Sequence, residues 1–371
     1  MNWAEILSNY PAAKNNVYLN TAACGLISKN TQQAMNQHFQ HYVEFGAGAR
    51  PSWVKEKAET RSKAASLLNV EPENLLFVAN YTTGMNQVAA MWQNKYKKIL
   101  LLDGDYPSVI LPWKVHKYEC QFFTAGKDEI ISIEEIEKQI KETKPDVLAI
   151  SHVQFNTGFR LDLDSVAAIC KKYGVVFLVD ATQSFGAFPI DVKKIGIDVL
   201  ITSVYKWTTA GFGLGIAYIK PELLENCHPL IAGNNSNGQA ITPSNEASIE
   251  LKQAAFETGH TNHPGLAALN SALTDLINIG VEHISERILS LNALFCKGIK
   301  EINSDLLVSN FSESQSSGIL SIQTTPEIEQ FLLEKNIVTS FRNKGLRISI
   351  HFYNSESDIE TIIEALKNCL S

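Results

Sequence analysis

From about residue 75 the chain alternates short apolar runs with longer stretches of helical spacing. The runs read NLLFVAN (74–80), KKILLLDGD (97–105), CQFFTA (120–125), DVLAISHV (146–153), VVFLVDA (175–181), IDVLITSV (197–204) and GLGIAYI (213–219). They are rich in Val, Ile, Leu and Phe and mostly lack the alternation of a half-exposed strand. Strands buried on both faces of a largely parallel sheet read this way. Between them, TTGMNQVAAMWQNKY and LDSVAAICKKYG space their apolar residues by three and four, and Gly174 closes the second. The pattern predicts a doubly wound α/β fold.

The texture changes from about residue 245. Helical patterns follow in SIELKQAAFETGH, GLAALNSALTDLINIG and VEHISERILSLNALFCKGIKEI. Two short strands, SGILSIQT and GLRISIHFY, and a last helix, SESDIETIIEALKNCL, complete a smaller α+β unit. The polar stretch AGNNSNGQAITPSNEAS (232–248) reads as a loop near the boundary. There is no internal repeat and no low-complexity tract.

Composition narrows the class. The 371 residues are 45% hydrophobic and 19% charged, with a net charge of −7, which suits a globular protein with one large core and a smaller domain. Without a basic stripe, nucleic acid is not an expected partner. Cysteines 24, 120, 170, 227, 296 and 369 form no C-x-x-C pair; they read as reduced thiols of a cytoplasmic protein without a metal site. The opening MNWAEILSNYPAAKNN lacks the basic and apolar regions of a signal peptide. No apolar run is long enough to span a membrane.

The chemistry sits where strands end, because open α/β sheets bind ligands outside the carboxyl ends of their strands. NLLFVAN is followed by Tyr81, Thr82, Thr83 and Gly84 and then a helix. Hydroxyls and free N–H groups there suit a phosphate, although a threonine N-cap has the same signature. VVFLVD ends on Asp180, ahead of Thr182, Gln183 and Ser184. A carboxylate in that position is costly unless it caps a helix, binds a metal or pairs with a protonated ring nitrogen. VLITSVY ends on Lys206. A partly desolvated lysine is a neutral amine and a nucleophile toward carbonyls; alone it reads equally as a surface lysine. Together, an anion cradle, a strand-end carboxylate and a strand-end lysine suit pyridoxal 5′-phosphate.

With these features the sequence resembles the class-V aminotransferase family of fold-type-I pyridoxal-phosphate enzymes, which includes cysteine desulfurases, kynureninases and isopenicillin-N-epimerase-like proteins. The resemblance runs over VYLNTAACGLIS (17–28), VANYTTGMNQVA, DGDYPSVILPW (103–113), ISHVQFNTGFRLDL (150–163), LVDATQSFGAFPID (178–191), TSVYKWTTAGFGLG (202–215), FETGHTNHPGLAAL (256–269) and GLRISIHFYNSESDI (345–359). It implies a mostly parallel seven-stranded sheet in a large domain, 17–250, and a small domain built from 1–16 and 251–371.

The resemblance also implies roles. Lys206 becomes the Schiff-base lysine and Asp180 the partner of the pyridinium nitrogen. Gln183, with either Gln154 or Asn156, contacts the phenolic oxygen. Thr82 and Thr83 hold the phosphate, helped by Ser203 and Tyr205, and Tyr106 stacks on the ring. Arg347 takes the substrate carboxylate, with Arg342 able to share it and Ala22 on the loop beside it. His260 and Thr261, in the GHTN turn, reach the phosphate of a second subunit, which requires a homodimer. One departure stands out: SFRNKGLRIS carries no cysteine where desulfurases keep their catalytic one. Persulfide formation by that route is not expected. The expected activity is aminotransferase-like, on a small amino acid. A cysteine or cystine C–S lyase, an epimerase and a degenerate cofactor-binding scaffold are the alternatives. Cys24, Arg160, Trp113 and Trp207 read as packing or structural residues; His152, His260 and His351 fall near site loops.

Overall fold

A computed structural model describes residues 1–225, 227, 231–236 and 256–370. Twelve strands occur among them: β1 (Val17–Tyr18), β2 (Leu75–Val78), β3 (Lys98–Leu102), β4 (Glu119–Phe123), β5 (Val147–Ser151), β6 (Val176–Asp180), β7 (Val199–Ser203), β8 (Gly215–Ile219), β9 (Ile319–Ile322), β10 (Ile337–Val338), β11 (Ser340–Arg342) and β12 (Gly345–Ser349). The seven apolar runs form one sheet in the order β2-β8-β7-β6-β5-β3-β4. Strands β3 to β7 are parallel, whereas β8 runs antiparallel to both β7 and β2. The β7–β8 connection contains no crossover helix, so the chain can only return antiparallel.

Both sheet faces are buried, as the non-alternating runs require. Leu100, Leu148, Ile150, Phe177 and Val179 face a layer that includes the helices Arg50–Leu68 and Leu163–Tyr173. Ile99, Leu101, Val147, Ala149 and Leu178 face the helices Tyr81–Met91 and Pro107–Val115. A third cluster joins Leu320, Ile322, Leu346 and Ile348 of the three-stranded sheet β11-β12-β9 to Phe295, Ile299, Ile359 and Ile362. Strand β1 pairs with β10, tying the start of the chain to this smaller unit.

Two segments after residue 245 bear on the division into domains. The helix His263–Ile279 packs on the helices Lys29–Phe45 and Arg50–Leu68, and its Leu266, Leu269, Leu273 and Leu276 join the core of the large sheet. Its apolar stripe is wide enough to bury there. We propose that the smaller unit begins within the helix Val281–Asn303, whose Ile284 and Ile288 join the first cluster and whose Phe295 and Ile299 join the third. Of the helical pattern at 248–260, residues 248–255 lie outside the described residues and 256–260 form a turn and irregular chain. Glu257 explains that path. It takes Lys57 at 2.5 Å, Arg61 at 2.8 Å and the Phe77 N–H at 2.9 Å, fastening the segment to β2. Of the polar stretch 232–248, residues 237–248 lie outside the described residues.

The N-terminal segment 19–26 joins the two units. Ser349 N–H donates to Leu19 O at 2.8 Å. Thr21 and Tyr353 share a hydrogen bond at 2.5 Å. Gly25 N–H donates to Tyr205 O at 2.9 Å. A Cβ on Gly25 would lie 1.9 Å from the Lys206 carbonyl oxygen, a backbone atom with no freedom to retreat. His351 buttresses the same turn: its Nε2–H donates to Trp207 O at 2.9 Å, and its Nδ1 accepts the Phe352 N–H at 2.8 Å.

Two predictions follow from this packing. Gly25→Ala lowers stability in urea by about 1–3 kcal/mol, the usual cost of overpacking; an unchanged unfolding midpoint would show that the approach is not required. Burial pushes the imidazoles of His152 and His351 down to about 3 from 6.5. The folded protein therefore keeps them neutral where the unfolded chain protonates them. Their contribution to stability is complete above pH 6.5 and is lost as pH falls toward 3. Urea midpoints measured across that range are expected to fall, and a flat profile contradicts the assignment.

Candidate active site

The parallel strands deliver their carboxyl ends to one edge. Asp180 is the last residue of β6 and is 5% exposed. Its Oδ1 accepts the Thr182 N–H at 2.8 Å. Burial holds its carboxyl well above the usual carboxylate range; Thr182 pulls the other way, Asp105 adds to burial, and Lys206 opposes it. Lys206 follows β7 and is 6% exposed. Burial pushes its amine below the ordinary lysine range; Asp180 opposes this, while Arg347 and Arg342 reinforce it. Its Nζ lies 5.6 Å from the centre of the Tyr106 ring and 5.5 Å from that of Tyr205. The edge thus holds a buried amine and a buried carboxyl with an aromatic ring beside them.

The helix Tyr81–Met91 opens at the same edge. Its cap is Asn80, whose Oδ1 accepts the Thr83 N–H at 2.8 Å, so neither threonine serves as the N-cap. Thr82 is exposed and its hydroxyl meets Ser108 at 2.8 Å. Ser203 Oγ accepts the Tyr81 N–H at 2.9 Å, which fastens the helix start to β7. Thr83, His260 and Thr261 line one cavity of about 380 Å³ together with Gly213 and Asn262. Lys57 Nζ donates to Thr261 Oγ1 at 3.0 Å.

Tyr106 caps the helix Pro107–Val115 and meets Phe155 edge to face at 5.3 Å. Phe155 lies in the turn between Gln154 and Gly158, closed by the Gly158 N–H donating to Gln154 O at 2.8 Å. Gln154 is buried, and its Nε2 donates to Ser151 O at 3.3 Å. Asn156 is half-buried in that turn. Tyr205 stacks on Phe212 at 4.5 Å, and burial pushes its phenol up to about 12.

Arg347 lies on β12, is 2% exposed, and donates from Nη1 to Phe155 O at 2.9 Å. Its Nε is buried without a partner. Burial and the nearby Arg342 bring its guanidinium down to about 10. In the β11–β12 register, Ser340 faces Arg347 and Arg342 faces Gly345. Arg342 is therefore two residues from Ser340 on the same face as Arg347, exposed, with Nη1 donating to Phe341 O at 2.8 Å. The hairpin turns through Asn343 and Lys344, leaving no room for a longer loop.

Gln183 and Ala22 are bonded to each other and to the frame around Lys206. Gln183 donates to Ala22 O at 3.2 Å and accepts from Trp207 Nε1 at 2.7 Å. The Ala22 N–H donates to Ser349 Oγ at 2.9 Å. Gln183 thus binds the N-terminal segment to the lysine-bearing turn, and Trp207 does more than fill space. Cys24 is half-buried; burial pushes its thiol up despite Lys206, as for a packing thiol. Arg160 donates to Ser316 O at 2.9 Å and to Glu313 O at 3.2 Å, holding the smaller unit.

The sequence reading missed Asn80, Gly25, Phe155 and Asp105. Asp105 had a readable signal, since it follows a buried strand within three residues, much as Asp180 ends one.

The residues suit pyridoxal 5′-phosphate. A buried carboxyl can face a ring nitrogen, a buried amine can meet an aldehyde, and an orphaned buried Arg347 Nε can receive a carboxylate. The comparisons agree. The aminotransferase class-V family model matches residues 17–362. A probable cysteine desulfurase of Borreliella burgdorferi is 27% identical, covering 95% of this chain and 92% of that protein. The apo structure of a cysteine desulfurase from Thermococcus onnurineus NA1 superposes with a TM-score of 0.91 at 22% identity, over 99% of this chain and 97% of that one. The cystine C–S lyase C-DES, in complex with its product cysteine persulfide, superposes with a TM-score of 0.87 at 21% identity, over 97% and 99% of the two chains. The matched span contains β1 to β12 and every residue of the site, and the chain belongs to the aminotransferase class-V family of pyridoxal 5′-phosphate-dependent enzymes.

Proposed function

We propose that this enzyme binds pyridoxal 5′-phosphate through Lys206 and converts a small amino acid in an aminotransferase-like reaction that begins with loss of the α-proton. The observation that carries the reading is that Lys206 and Asp180 lie buried at one edge of the large sheet and that Arg347 of the smaller sheet, also buried, is fastened to the loop after β5 by Phe155 O. When bound, the cofactor supplies an aldehyde that condenses with amines and a ring that accepts the electron pair left at the substrate α-carbon. Asp180 would receive the ring nitrogen proton in a hydrogen bond. Tyr106 would cover one ring face. Thr82, Thr83 and the N–H groups at the helix start would hold the phosphate. Arg347 presents its fork to the substrate carboxylate, held in place by Phe155 O. Lys206 would take the α-proton at Nζ, and burial with two neighbouring guanidinium groups, against the opposing pull of Asp180, weakens that amine's hold on a proton of its own.

A C–S lyase is the second reading, and the β11–β12 hairpin favours it. Its two-residue turn carries no cysteine to receive sulfur, while Arg342 stands on the same face as Arg347 toward solvent. A substrate with a second carboxylate, such as cystine, would meet both. We further read the protein as a homodimer. Phe39, Tyr42, Val43, Phe45 and Val54 are exposed on two adjoining helices, an apolar patch of the kind that marks an interface. Six unpaired cysteines support a cytoplasmic setting.

Lys206→Ala is expected to remove the visible absorption band of the bound cofactor and to lower turnover at least 10²–10⁴-fold, roughly the range of a lost acid–base group. A colourless wild type that pyridoxal phosphate cannot restore contradicts the enzyme reading. An amino-acid panel scored for keto acid with amino transfer, for ammonia with sulfide, and for chirality assigns the reaction. Arg347→Ala is expected to raise KM for every substrate. Arg342→Ala is expected to raise it about tenfold, one lost charge-assisted contact, for dicarboxylic substrates only. Equal KM increases for alanine and cystine in Arg342→Ala would remove the support for the second reading.

A further inference from the structure

Asp105 lies three residues beyond the end of β3 and is 3% exposed. It forms no salt bridge among the described residues, and burial pushes its carboxyl up. A buried carboxyl without a cation is costly. What it has instead is a set of donors. Its Oδ1 accepts the Tyr106 N–H at 2.7 Å and the Ser151 hydroxyl at 2.6 Å; its Oδ2 accepts the Ser151 N–H at 2.9 Å. The Gln154 side chain, which donates to Ser151 O at 3.3 Å, stands close enough to oppose that rise.

These partners surround the place assigned to the cofactor ring. Tyr106 has its ring beside Lys206. Ser151 is the last residue of β5 and the register partner of Asp180. Gln154 begins the turn whose Phe155 packs on Tyr106 and whose carbonyl holds Arg347. One carboxylate therefore joins the residue before the ring-stacking helix to the strand beside the ring-nitrogen acid. Its charge is also felt at Asp180 and at Tyr81, whose buried hydroxyl has no partner.

We propose that Asp105 is a positioning residue for the cofactor, acting through Tyr106: it fixes the stacking side chain in register with the strand end that carries Asp180. This rests on the reading of the edge as the pyridoxal-phosphate site. Asp105 does not touch the cofactor itself. Its contribution is to hold one wall at a set distance from the other, and that contribution vanishes when the stacking ring is removed.

A double-mutant cycle tests this. The full-length protein is stripped of cofactor and titrated with pyridoxal phosphate, following the visible absorption band and its circular dichroism. Wild type, Asp105→Ala, Tyr106→Ala and the double variant are compared. Asp105→Ala is expected to weaken binding about tenfold alone but no more than about twofold in the Tyr106→Ala background, the non-additivity of coupled neighbours. The dichroism of the bound cofactor is expected to fall in Asp105→Ala to the level of Tyr106→Ala. Asp105→Asn is run in parallel, since it preserves volume and replaces one acceptor with a donor. It carries the same cycle if the alanine variant fails to refold. Penalties that multiply, or an Asp105 variant that binds and gives dichroism like wild type, overturn the proposal while leaving the cofactor reading intact. A wild type that takes up no pyridoxal phosphate overturns both.

Discussion

The structure depends on keeping an amine and a carboxyl out of water at adjacent strand ends. Lys206 and Asp180 each lie almost wholly buried, and burial drives both toward their neutral forms. Neither shift would persist on an open surface, where water restores the charged forms. The sheet makes the burial possible. Five parallel strands and β2 present their ends to one edge, and helices on both faces close the sides.

The remaining wall comes from outside the sheet. Residues 19–26 cross from the smaller unit to the Lys206 turn, held by Ser349 and Tyr353 on one side and by Gln183 and the Tyr205 carbonyl on the other. Gly25 passes so close to Lys206 that no side chain fits. Arg347 and Ser349 lie on the same strand, so the segment bonded to Ser349 also borders the arginine. The amine, the arginine and the N-terminal segment are therefore one packed unit, and a change in any of them is felt by the others.

Much of this was legible. The seven apolar runs became the seven strands, because a strand buried on both faces has no polar side to interrupt its pattern. Asp180 and Lys206 were visible because each places a charged residue at the end of such a run. The helix His263–Ile279 reads in sequence as part of the small domain, yet its leucines pack with the core of the large sheet; an amphipathic stripe says that a helix is buried but not against what. Residues such as Tyr106 and Arg347 came from the family resemblance; their own spacing offered no comparable signal.

The chain by itself thus determined the α/β class, the sheet's buried strands and the two strand-end residues on which the proposed chemistry turns. Periodicity and burial cost are local properties, written into consecutive residues. Only the tertiary structure decided that Gln183 would bridge Ala22 and Trp207, that Asp105 would clamp Ser151 and Tyr106, and that Arg342 would share a face with Arg347. Each of these depends on which strand lies beside which and in what register. Hydrogen bonds between Asp105 and Ser151, or between Gln183 and Ala22, join residues 46 and 161 positions apart, and no local pattern records such a pairing.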